Sequence, residues 1–84
     1  MLYAKFMRPN SGHNGDIEYV KKVGLKVGER YEVEYISMGG FHTSIHIKNI
    51  KGCFNSVQFD FEEEDGIPVD IYSDRRYNPY MQNI

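Results

Sequence analysis

The stretch Phe41-His42-Thr43-Ser44-Ile45-His46-Ile47-Lys48-Asn49-Ile50-Lys51-Gly52-Cys53-Phe54-Asn55-Ser56-Val57-Gln58-Phe59-Asp60-Phe61 decides the fold. From Phe41 to Lys48 two sets of residues alternate without a break. Phe41, Thr43, Ile45 and Ile47 fall on one side, and His42, Ser44, His46 and Lys48 on the other. Successive side chains of a strand point to opposite faces, so this is a strand with one buried face and not a helix. Asn49-Ile50-Lys51-Gly52 reads as a turn. Cys53 to Phe61 then reads as a further strand, with Cys53, Asn55, Val57, Phe59 and Phe61 on one face and Phe54 on the other.

The same alternation extends outward. Leu2 to Met7 predicts a first strand, with Leu2, Ala4 and Phe6 inward. Pro9, Gly12 and Gly15 end it in a loop. Asp16 to Val23 predicts a short helix: Asp16 suits the N-cap, Ile17, Val20 and Val23 recur every third residue, and Gly24 suits the stop. Two turns of helix do not stand alone in water, so this one must pack on the sheet. Arg30 to Met38 predicts a second strand. Tyr31, Val33 and Tyr35 share a face, then the phase slips to Ile36 and Met38, which calls for a bulge near Tyr35–Ile36. Gly39-Gly40 and Asp65-Gly66 are hairpin turn signals. Ile67 to Tyr72 predicts a last strand, with Pro68 at an edge, and residues 73–84 form a C-terminal tail or strap.

Eighty-four residues make one domain with a small core. Seven Tyr, five Phe and eight Gly suit short strands joined by tight turns. Such strands remove their edges by closing up. The expected architecture is a mainly β, five-stranded antiparallel SH3-like barrel with one short helix in the loop after strand 1. An OB-like barrel is the alternative, although its helix belongs between strands three and four. A lone Cys, no apolar run of membrane-spanning length and no basic leader predict a cytoplasmic protein.

Two segments carry a resemblance. Leu25-Lys26-Val27-Gly28-Glu29-Arg30-Tyr31-Glu32-Val33 resembles the entry to the second strand of many small SH3-like barrels. Gly52-Cys53-Phe54-Asn55-Ser56-Val57-Gln58-Phe59 resembles a segment of short phage and prophage proteins of Gram-positive bacteria. The resemblance implies an accessory, anti-defence type of protein of a mobile element, one that inhibits or modulates a host protein. CRISPR effector nucleases are among such targets. It supplies no functional residues.

The chemistry-bearing residues form no catalytic constellation, and no enzyme activity, metal or cofactor is expected. His42 and His46 on one strand face stand roughly 13 Å apart, too far for one metal ion, and His13 lies in a Gly-rich loop. Cys53 reads as a small buried hydrophobe, and Ser44 between the histidines lacks an oxyanion turn. Gly24 and Gly28 lack the spacing of a phosphate-binding loop.

Charge is the informative feature. Residues 1–59 hold eight Lys or Arg against five acids, and residues 60–84 two against seven. Asp60, Glu62, Glu63, Glu64, Asp65, Asp70 and Asp74 fall within fifteen residues that contain no base. They read either as a solvated hairpin tip or as an acidic docking surface that speeds encounter with a basic, nucleic-acid-binding partner. Arg75, Arg76, Tyr77 and Tyr80 add types common at binding hot spots, or else serve as a strap over an open barrel end. The expectation is a non-catalytic protein-binding module, monomeric or a small homo-oligomer, that contacts a host protein through these residues. The competing expectation is a nucleic-acid-binding barrel using Lys5, Arg8, Lys21, Lys22, Lys26 and Lys48 with exposed Tyr3 and Tyr19.

Overall fold

The computed structural model describes residues 1–39 and 42–78. Strand β1 spans Leu2–Phe6 and buries Leu2, Ala4 and Phe6. Helix α1 follows at Asn14–Val23, then β2 at Arg30–Met38, β3 at Thr43–Ile47 and β4 at Phe54–Asn55. A 3-10 turn at Ser56–Gln58 leads into β5 at Phe59–Glu63, and β6 is Pro68–Val69. All pairings are antiparallel, in the order β4-β3-β2-β1-β5-β6. The result is a mainly β, curled half-barrel sheet with one short helix.

The curl comes from β2. Its first part pairs with β1, and its second part pairs with β3. Register shifts between Val33 and Tyr35: Val33 faces Ile47, while Tyr35 faces His46. The extra residue, Glu34, is a bulge that bends the strand, one position earlier than the slip in the sequence pattern indicates. It turns Tyr35 outward, where its ring stacks on His46 at 4.0 Å between centroids, and returns Ile36 and Met38 to pack against the core.

Helix α1 begins two residues earlier than expected. His13 is its N-cap, in extended conformation, and Asp16 sits at the third helical position, where its carboxylate accepts the His13 backbone N–H at 2.9 Å. Gly24 ends the helix in the left-handed region at φ 86°, and its N–H and that of Leu25 both reach the Val20 carbonyl. Val20 is buried, and Tyr19 packs on Phe54 with its hydroxyl donating to the Lys51 carbonyl.

The expected single strand Cys53–Phe61 is not one strand. Asn55 accepts the Val57 N–H at 3.2 Å and starts the 3-10 turn, which shifts the side-chain phase. Phe54, Ser56, Gln58, Phe59 and Phe61 are buried, while Cys53 and Val57 are exposed. Cys53 is therefore not the buried hydrophobe that alternation predicts. The break also raises the strand number from the expected five to six among the described residues. The last strand shrinks to Pro68–Val69, because Asp70 accepts the Tyr72 N–H at 3.0 Å and folds residues 70–72 into a turn; Ile71 still reaches the core, 1% exposed. Phe41, Gly40 and Tyr80 lie outside the described residues. Among the described residues no helix is long and apolar enough to cross a membrane.

Candidate functional site

Three separated pieces of chain meet at one end of the sheet. The loop after β1 is fastened to the 3-10 turn by Arg8. Its Nε donates to the Val57 carbonyl at 2.8 Å, and its Nη2 donates to the Phe59 carbonyl at 2.6 Å and to Asp60 at 2.8 Å. The N–H groups of Met7 and Arg8 both reach the Gln58 carbonyl at 3.0 Å, and the Gln58 amide donates to the Pro9 carbonyl at 3.3 Å. Asn55 ties the start of α1 to the turn by donating to Asp16 at 3.1 Å.

Between this loop, the β2–β3 connection and the 3-10 turn lies an open cleft of about 700 Å³. His13, His42, Asn55, Ser56, Val57 and Tyr72 are among its walls. A second cleft of about 470 Å³ adjoins it and shares Ser56, Val57 and Tyr72. Arg8, Asp60, Asp70 and the largely buried Phe59, Phe61 and Ile71 also line it.

The shared ridge is apolar and exposed: Val57 is 45% and Tyr72 48% accessible. Both residues are nevertheless held. The Val57 N–H and carbonyl are taken by Asn55 and Arg8. Tyr72 is pinned three times, through its N–H to Asp70, its hydroxyl to Ser56 at 2.6 Å and its carbonyl to the Asn78 amide at 2.5 Å. Anchors fixed before contact lose little entropy on binding.

Four of the seven carboxylates of residues 60–74 have an arginine partner, so the negative charge expected of this run is partly offset. Asp60 pairs with Arg8 at 2.8 Å, Glu62 with Arg30 at 3.1 Å, and both Glu63 and Asp74 with Arg76, at 2.6 and 2.8 Å. Arg30 also donates to the Glu64 carbonyl at 3.0 Å. Asp65, Asp70 and Asp74 each accept the N–H two residues on, the local bond that makes Asp a turn residue. Hydrogen bonds from Arg76 hold the Asp74 carboxyl below its ordinary pKa, and the same bonds hold the guanidinium above its own.

The hairpin and the tail do come together. Arg76 bridges them, and Tyr77 packs against the core, where burial, and next the Glu63 charge, push its hydroxyl pKa up. Arg75 is exposed in the turns of the tail.

The model of the family described as bacteriophage T4 protein Y07B matches residues 1–83. The chain belongs to that family. No curated protein and no solved structure gives a match. The Y07B match spans the whole described fold, and it agrees with the phage half of the resemblance in residues 52–59.

Two ridge residues of this Y07B-family chain escape a reading by alternation. Val57 is counted inward with Phe59, and Tyr72 falls at the expected end of a last strand that stops at Val69. The signals that mark them are local: Asn55-Ser56 and Asp70 are turn formers. Among the described residues no group of three His, Cys, Asp or Glu is arranged to hold a metal ion. The basic set is divided. Arg8 and Lys48 are engaged by Asp60 and Glu32, Tyr3 lies under the Arg30 guanidinium, and the Tyr19 ring packs on Phe54.

Proposed function

We propose that this phage-family chain is a non-catalytic accessory protein that works by binding and modulating a host protein in the bacterial cytoplasm. Its contact surface is the double cleft around Val57 and Tyr72, rather than the acidic hairpin. The observation that carries the reading is that ridge: two exposed apolar side chains on a backbone fixed by Arg8, Asn55, Asp70 and Ser56. Hot spots are enriched in Trp, Tyr and Arg and ringed by contacts that exclude water, which makes Tyr72 the anchor and Val57 part of its surround. We also read the fold as an SH3-like barrel. In support, β1, β5 and the start of β2 form one sheet, the end of β2 with β3 and β4 forms a second, and a 3-10 turn links β4 to β5.

The test compares two variants in pull-downs from host lysate. Val57→Lys places a charge on the ridge, and Glu64→Lys with Asp65→Lys reverses the hairpin tip. The reading predicts that a host protein retained by the wild type is lost with the ridge variant and kept with the tip variant, at equal thermal stability. Loss with the tip variant and retention with Val57→Lys would overturn it.

A further inference from the structure

We infer that the double cleft takes an extended peptide segment of the partner carrying an apolar residue next to a basic one. This inference rests on the cleft being the contact surface and adds the chemistry of what enters it.

The shape is the first argument. The two clefts adjoin and share Ser56, Val57 and Tyr72 in their walls, and both are open to solvent, so a chain segment can contact both through these residues. The ridge itself selects apolar contact. Tyr72 offers a half-exposed ring pinned at its hydroxyl, and Val57 an exposed β-branched side chain in the same lining. Other exposed apolar residues, Val27 and Ile67 among them, sit in neither cleft.

The charge is the second argument. The charged residues lining the second cleft are Asp60, Asp70 and Arg8. That guanidinium is spent on two carbonyls and on Asp60. The local balance is therefore negative, and it is placed beside the apolar ridge. Among the described residues, the first cleft presents imidazole, amide and hydroxyl groups and no carboxylate. A Lys or Arg of the partner is favoured on the Asp70 side, and an apolar neighbour falls on Tyr72 and Val57. An acidic peptide is disfavoured at the same place by like charge.

The test is a selection of random 12-residue peptides displayed on ribosomal complexes against the full chain, followed by affinity measurements on the strongest binder. The selected peptides are expected to be enriched in Lys or Arg adjacent to an apolar residue. Asp70→Asn keeps the acceptor for the Tyr72 N–H and removes the charge, so it should weaken that peptide roughly five- to tenfold, with the loss shrinking at high salt. Tyr72→Ala should weaken it roughly thirtyfold or more. Glu64→Gln should change nothing, and circular dichroism melts confirm that each variant folds.

Enrichment without basic residues, or an unchanged affinity for Asp70→Asn, overturns the basic-peptide inference while a loss with Tyr72→Ala leaves the cleft itself standing. No retained peptide, or binding indifferent to Tyr72→Ala, overturns the inference together with the cleft as its site.

Discussion

Asp16 closes the start of α1, and its chemistry shows how closely the loop after β1 is bound to the rest. Burial pushes its pKa up, but hydrogen bonds from the His13 backbone and the Asn55 amide, with the His13 and His42 imidazoles nearby, hold it below its ordinary 3.8. A carboxylate depressed in the folded state adds stability above its unfolded pKa and loses it as pH falls through the folded value. Acid unfolding of the wild type should therefore contain a component below pH 3.8 that is missing in Asp16→Ala. At neutral pH that variant should be less stable by roughly 0.5–1.5 kcal/mol in urea titrations. Gly52 makes a second residue-scale case. It stands at φ 91°, and a Cβ there would strike the Tyr19 hydroxyl. Gly52→Ala should cost about 1–3 kcal/mol, partly recovered when Tyr19 is also replaced by Ala. Gly24 as the helix stop was legible from its place after Val23. Asp16 as a third-position residue was not, because an N-cap histidine gives no compositional signal.

At the scale of elements, the 3-10 turn is the piece on which the site depends. It carries the chain from β4 at one edge of the sheet to β5 beside β1, and Arg8 holds it in place. Arg8→Ala should lower stability by roughly 1–2 kcal/mol and speed amide exchange over residues 55–60. Arg8→Lys should recover little, since one ammonium lacks the fork that reaches Val57, Phe59 and Asp60 together. Strands β1, β2 and β3 were readable because their inward residues recur at period two, and the β2 slip announced its bulge. The break at Asn55–Gln58 was not readable by that count. One 3-10 turn among apolar residues leaves alternation intact on paper while it turns Val57 out and Gln58 in. The Phe54 anomaly, an aromatic on the wrong face, was the visible trace of it.

Across the whole molecule, the electrostatics are set by partners remote in sequence. Arg8, Arg30 and Arg76 each reach carboxylates of β5 or the tail, so a run that holds no base in sequence is partly offset in space. The pairing of β1 with β2 and β5 brings Arg8 and Arg30 to Asp60 and Glu62, and no local window contains those two pairs, whereas Arg76 and Asp74 are neighbours in sequence. These pairs are exposed at one end or both, and each contributes about 0–1 kcal/mol. Raising salt from about 0.1 to about 1 M should therefore move the melting temperature by no more than a few degrees. A larger fall would show that the pairs hold the sheet together.

The most direct measurement is hydrogen–deuterium exchange of the full chain, free and bound to the host protein it captures. Slowed exchange is predicted in residues 10–13, 42, 55–57 and 72, with residues 62–66 unchanged. Protection confined to 62–66, with the segments around Val57 and Tyr72 exchanging as in the free protein, would contradict the assignment of the cleft.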